Sequence, residues 1–185
     1  MMKTKQLTTM AMYLALIIFS GLLAIPTPLG IPIILQNMIC AMGGAVLGKK
    51  NGTLTVCVFL LCIAVGLPVL PGGRGGVAVF FGITGSYFIG YLLSPYAIGL
   101  ALENLEKMRH RNFATFFFVF ALFGALLINF TGLLSLYWTG RNLFAAFQTM
   151  IAFIPADLIK SVALAWVCER LYAAKKLPII KEIRL

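Results

Sequence analysis

Long runs without a charged side chain dominate the pattern along this chain. No Asp, Glu, Lys or Arg occurs in residues 6–48, 51–73, 75–102 or 112–140. Each run holds at least one stretch of about 20 residues, the length a helix needs to cross the hydrocarbon core of a bilayer. The first run holds two such stretches, divided by the turn formers Pro26, Pro28, Gly30 and Pro32. All are continuously apolar, whereas strands of a membrane barrel alternate polar and apolar residues in segments of about ten. These five stretches, with a sixth apolar segment that surrounds Asp157 and Lys160, predict six transmembrane helices, over Leu7–Ala24, Ile33–Leu47, Thr53–Leu70, Val77–Leu102, Phe113–Tyr137 and Pro155–Ala174. The expected fold class is an all-α integral membrane protein, with residues 1–185 forming a single membrane domain.

Composition sharpens this reading. The chain is 61% hydrophobic and 11% charged, with a mean hydropathy of +1.00, against about 45–50% and about 25% for soluble domains. Its net charge of +10 invites a nucleic-acid reading, but the distribution of charge argues for topology instead. With the N-terminus inside, all but three of the 15 Lys and Arg residues lie at cytoplasmic ends. Arg74 and Arg141 fall outside, and Lys160 falls within the membrane. This asymmetry sets both termini in the cytoplasm (N-in/C-in) of a multi-pass protein of the cell membrane. The basic segment after Arg170 then anchors topology against membrane lipid and binds no nucleic acid. Lys3 and Lys5 precede the first apolar run as in a signal peptide. No small-x-small cleavage site follows, so the run is read as a retained helix.

Several chemistries lack their residues. There is no glycine-rich loop ending in Lys-Ser or Lys-Thr for ATP, no Gly-x-Ser-x-Gly and no His-Glu-x-x-His. The single histidine, His110, sits between Arg109 and Arg111 in a cytoplasmic turn. Cys40, Cys57, Cys62 and Cys168 lie in apolar spans without metal-ligand spacing. Asp157 is the only acid away from the cytoplasmic face, so paired-carboxylate catalysis has no second member. The chain is expected to be neither an enzyme nor a metal or cofactor protein.

Asp157 and Lys160 stand out because residues 142–156 and 161–168 around them carry no charge. At i and i+3 on a helix they share a face, and a charge in mid-membrane costs about 2.5–3.5 kcal/mol on insertion scales. They form either a salt bridge joining helices or, the reading preferred here, a hydrogen-bonding site for a polar ligand head. Pro155 suits a first helical turn, which would place Asp157 at the positive end of the helix. The remaining candidates gather at the outer ends. Gln36 and Asn37 open the second helix, as amides serving either the backbone or a pocket. Arg74 sits among Gly72, Gly73, Gly75 and Gly76, in a flexible loop or a lid over an anionic group. Tyr87 follows Gly85-Ser86, and Asn129 is expected to bind a neighbouring helix. Ala11 and Ala15, like Gly44 and Gly48, are small residues spaced for close helix approach, within the protein or to a partner.

Four stretches in this order carry a resemblance: Pro32-Ile33-Ile34-Leu35-Gln36, Gly66-Leu67-Pro68-Val69 through Gly72-Gly73-Arg74-Gly75-Gly76, Gly85-Ser86-Tyr87, and Pro155-Ala156-Asp157-Leu158-Ile159-Lys160. Together they resemble the BioY family, the biotin-specific substrate-binding (S) components of energy-coupling-factor transporters. Ile34 departs from the family pattern, where threonine is common before Leu-Gln. The resemblance implies capture of biotin from outside by a six-helix protein. It also implies a partner module of one transmembrane coupling protein and two cytoplasmic ATPases, docked through Ala11 and Ala15. Biotin would be cargo rather than cofactor, with Asp157 and Lys160 on its ureido ring. Arg74, Gln36 or Asn37 would meet its carboxylate and Tyr87 its rings; the reverse orientation, with Lys160 on the carboxylate, stays open. Another small vitamin, or a proton-coupled carrier using Asp157, is the alternative.

Overall fold

The computed structural model describes residues 4–26, 33–107, 112–140 and 142–174. The turn at 27–32, the Arg109-His110-Arg111 turn, Arg141 and the basic segment from residue 175 lie outside the described residues. Six helices account for most of the described residues. They are α1 (Thr4–Ser20), α2 (Gln36–Leu47), α3 (Lys49–Ala64), α4 (Tyr87–Lys107), α5 (Phe113–Trp138) and α6 (Leu143–Ala173). By length and apolarity, α4, α5 and α6 suffice to cross a membrane.

The two expected spans on either side of the first outer turn are shorter than the apolar run suggested. Ala24–Ile25 forms a strand, β1, antiparallel to β2 (Ile33–Ile34), with Ala24 opposite Ile34 and Ile25 opposite Ile33. This pair takes residues from the end of the first span and the start of the second. The third helix stops at Ala64, because Gly66 adopts φ +93° and Pro68 disfavours a helical residue before it. The fourth begins ten residues later than expected. Val77–Phe81 forms a 3-10 helix, and the chain turns through Gly82–Ser86 before α4 starts at Tyr87.

The largest correction concerns the last helix. It begins at Leu143, where the Asn142 side chain accepts the Ala145 N–H at 2.7 Å, a standard N-cap. Pro155 is therefore inside a helix of 31 residues rather than at its start. A proline there leaves one carbonyl without its helical N–H, a defect that membrane helices tolerate when neighbours compensate. Asp157 consequently lies in mid-helix, without the N-terminal dipole that the sequence reading had given it.

Helix α2 is the centre of the bundle. Every one of its residues except Val46 is buried, as expected of a helix apolar on all sides. It contacts α1, α3, α4, α5 and α6. Close approach depends on glycines with no room for a methyl group. A Cβ on Gly44 would lie 2.0 Å from the Pro95 carbonyl oxygen of α4, and one on Gly52 would lie 2.5 Å from that of Gly43. Gly44 thus serves packing within the protein. Gly48 is not helical: with φ +82° it is the single residue joining α2 to α3. At this end Lys49 pairs with Glu103 at 2.5 Å, and Glu169 accepts the Phe113 N–H at 2.9 Å, closing the start of α5.

Within α5, Phe120–Leu126 is a π-helical segment. Each such turn takes in an extra residue and leaves backbone groups poorly paired. Ser94 of α4 donates to the Phe123 carbonyl at 2.5 Å, and the Asn129 Nδ2 donates to that of Ala125 at 2.9 Å.

Candidate functional site: a buried ion pair under an aromatic wall

At the opposite end of the bundle from Lys49, where α2 and α4 begin, a cavity opens. Its walls come from β2 (Ile33, Ile34), the loop after α3 (Leu70, Pro71, Arg74) and the start of α4 (Tyr87, Phe88, Tyr91). Asn37, Asn129, Asp157 and Lys160 converge on it from α2, α5 and α6. Most of the lining is apolar or aromatic, and the polar groups are few and clustered, the usual make-up of a small-molecule site.

The cluster is balanced. Lys160 Nζ lies 2.6 Å from Asp157 Oδ1, with side chains 14% and 4% exposed. A buried carboxylate is stable only when paired and hydrogen-bonded. Asp157 meets this condition through Asn37 Nδ2, which donates to Oδ1 at 3.2 Å, and Asn129 Nδ2, which donates to Oδ2 at 2.6 Å. Lys160 also donates to the Ile34 carbonyl at 2.7 Å and, more weakly, to Asn37 Oδ1 at 3.4 Å. The Ile34 contact uses the backbone carbonyl, so it does not depend on which side chain stands there. Four elements are tied together through one carboxylate and one ammonium.

The loop carrying Arg74 is folded tightly. Leu70 N–H donates to the Arg74 carbonyl at 3.1 Å and Gly73 N–H to that of Leu70 at 3.0 Å. Gly72 and Gly73 both take positive φ, which other residues adopt only with strain. Gly76 N–H fastens the loop to Ile63 of α3 at 2.7 Å. Arg74 itself is exposed at the rim, its Nε donating to the Pro71 carbonyl at 3.1 Å. Tyr87 is buried against Gly132 of α5, where a Cβ would come within 2.1 Å of its ring. Among the described residues, the Tyr87 hydroxyl has no hydrogen-bond partner.

Of the six candidate ligand residues, Asp157, Lys160, Asn37, Arg74 and Tyr87 meet around this one cavity. Gln36 does not line it. Although fully buried, it turns the other way, its Nε2 donating to the Ile17 carbonyl of α1 and the Val69 carbonyl of the loop, each at 3.1 Å. Gly21 makes room for it, since a Cβ there would lie 2.5 Å from Nε2. Gln36 braces the wall of the cavity from behind. Sequence reasoning missed Tyr91 and Phe153. Tyr91 had a signal, lying four residues after Tyr87 and hence on the same helix face; Phe153 had none. Ala11 and Ala15 lie exposed on the outer side of α1, opposite its buried Met10, Tyr13 and Ile17. Among the described residues no group of three His, Cys, Asp or Glu side chains could hold a metal ion.

Six helices enclosing a neutral polar cluster at one end define a multi-pass membrane protein with a small-molecule site. The model of the BioY family matches residues 1–176, and the chain belongs to that family. It is 38% identical over 173 residues to the biotin transporter BioY of Lactococcus lactis subsp. cremoris, covering 91% of each chain. It is also 34% identical to the biotin transporter BioY of Thermotoga maritima, covering 90% of this chain and 95% of that one. The crystal structure of an S-component for biotin from an ECF-type ABC transporter superposes with a TM-score of 0.86. That match is 36% identical and covers 94% of this chain and 95% of the other.

Proposed function

We propose that this protein captures biotin in the cavity around Asp157 and Lys160 and delivers it inward with an ATP-driven energy-coupling module. The observation that carries the reading is the cluster of Asp157, Lys160, Asn37 and Asn129 beneath Tyr87, Phe88 and Tyr91. Biotin presents a cyclic urea, which donates and accepts hydrogen bonds without net charge, fused to an apolar thioether ring. A charge-balanced set of donors and acceptors under aromatic side chains suits both halves. Arg74, at the rim, is placed to meet the carboxylate tail. Gln36 acts at one remove, by holding the loop that carries Arg74. Membership of the family favours this reading over a carrier for another vitamin or a proton-coupled carrier built on Asp157.

The partners follow from the same reading. The exposed Ala11–Ala15 edge of α1 is the docking face for a transmembrane coupling protein, which in turn carries two cytoplasmic ATPases. Small side chains there let a second helix approach closely. Biotin is the cargo, and the protein itself holds no cofactor.

Titrating biotin into detergent-purified protein, by tryptophan fluorescence or calorimetry, tests the proposal. One-to-one binding in the nanomolar range, about −12 kcal/mol, is the expected result. No binding by folded protein would sink it. Gly132→Ala offers a check on the aromatic wall. The added methyl displaces the Tyr87 ring, and biotin affinity is expected to fall about tenfold, or about 1.4 kcal/mol. Unchanged affinity would remove Tyr87 from contact with the ligand.

A further inference from the structure

Asn129 has a role that its position in mid-helix does not announce. It is 2% exposed and lines the cavity. Its Nδ2 carries two hydrogens, and both are engaged: one on Asp157 Oδ2 at 2.6 Å, the other on the Ala125 carbonyl at 2.9 Å. Both neighbours only accept hydrogen bonds. Reversing the amide would set its oxygen against a carboxylate and a carbonyl, so the orientation of the group is fixed by its surroundings. What remains is Oδ1, an acceptor to which no described residue donates.

Most of the other acceptor capacity of the cluster is taken, leaving one open site on Asp157 Oδ2. Asp157 Oδ1 takes Lys160 and Asn37, its Oδ2 takes Asn129, and Asn37 Oδ1 faces Lys160. A ligand N–H entering the cavity therefore finds in Asn129 Oδ1 an acceptor with no protein donor, beside the spare site on Asp157 Oδ2. The π-helical segment just before it contributes to this placement. Ala125, whose carbonyl holds the amide, belongs to that segment, and the extra residue per turn rotates everything downstream relative to a regular helix.

We infer that Asn129 is a specificity-determining residue whose side-chain oxygen accepts a hydrogen bond from one ureido N–H of the ligand, with Asp157 holding the amide in that orientation. The assignment rests on the biotin reading above. In it, Asp157 acts on the ligand N–H through Asn129 as well as by its own remaining capacity. An acceptor aimed at an N–H discriminates against a ligand lacking that hydrogen, because the buried oxygen is then left unpaired.

The test compares biotin with its two mono-N-methylated forms, each lacking one ureido hydrogen, on wild-type protein and on Asn129→Leu. Leucine has the branching of asparagine, is no smaller and offers no acceptor, so a purely steric penalty for the methyl group survives the substitution. Loss of the Asn129–Asp157 hydrogen bond affects all three ligands alike and cancels in the ratio. The expected result is that one N-methyl form binds wild-type protein at least about tenfold more weakly than biotin, and that this penalty collapses in Asn129→Leu. A penalty that persists in the variant overturns the inference. If neither Asn129→Leu nor the smaller Asn129→Ala folds, the wild-type series decides alone: equal affinity for biotin and both methyl forms overturns it. Failure of folded wild-type protein to bind biotin at all is a different result, and removes the biotin reading together with the assignment that depends on it.

Discussion

Asp157→Asn lowers biotin affinity at least tenfold, about 1.4 kcal/mol or more, while the protein remains folded. The substitution keeps the shape of the side chain and removes its charge. Lys160 then loses its counter-ion at 2.6 Å and keeps only the Ile34 carbonyl and Asn37 Oδ1. Removing one member of a buried pair typically costs about 3–5 kcal/mol, because the other is left uncompensated. The effect reaches further here, since the new amide must place one NH2 among groups that were donating to it. Asn37 and Asn129 both aim Nδ2 at Asp157, and at least one has to turn. The cavity is then offered a donor where it had an acceptor. Calorimetric titration of wild type and variant, each checked by gel filtration, reads this directly; equal affinities would take Asp157 out of the site.

Gly44→Ala has the largest expected effect on stability. The new Cβ would sit 2.0 Å from the Pro95 oxygen, 2.7 Å from its carbonyl carbon and 2.9 Å from its Cα. All three are backbone atoms, so no rotamer change relieves the overlap, and α2 and α4 must separate. Overpacking of this kind typically costs about 1–3 kcal/mol, and a rigid backbone contact belongs at the upper end. For a chain of this length that corresponds to a drop in Tm of about 6–12 °C. Gly82→Ala is the control: its Cβ meets the Val79 oxygen at an ordinary 3.7 Å, and Tm should stay within about 2 °C. Equal melting temperatures for the two variants would mean that α2 and α4 are not in backbone contact.

Much of this architecture is legible in the sequence because lipid leaves few choices. Long apolar runs have to be helices in a bilayer; five of the six spans lie in charge-free runs, and the sixth is the apolar stretch around Asp157 and Lys160. Charges kept among apolar residues had to be paired, which singled out Asp157 and Lys160. What the sequence hid was local. Residues 142–154 are as apolar as a span should be, and Pro155 resembles a helix start so well that the cap at Asn142 was overlooked. Glycines also occur inside α2, α3, α4 and α5, and residues 75–102 are free of charge, so Gly82 and Gly85 did not separate Val77–Phe81 from α4. Gln36 and Asn37 are adjacent amides that point to opposite neighbours, because successive helical residues lie about 100° apart. The π-helical segment has no signature in its residues. Asn129 was therefore read as a tie between helices, which is half of what it does.

The pairing of Asp157 with Lys160 also has an electrical consequence. A membrane potential acts on net charge, at about 2.3 kcal/mol per elementary charge for each 100 mV. The two side chains cancel within 2.6 Å, so voltage gains no grip on the floor of the empty pocket. A biotin carboxylate at the rim would neutralise Arg74, so the loaded site carries one positive charge fewer than the unloaded one. Arg74 returns with the protein, so an inside-negative potential opposes net inward movement of the biotin anion by about 2.3 kcal/mol for each 100 mV. On the proposed function, the ATP-driven module has to supply that electrical work as well as the work of concentrating the cargo.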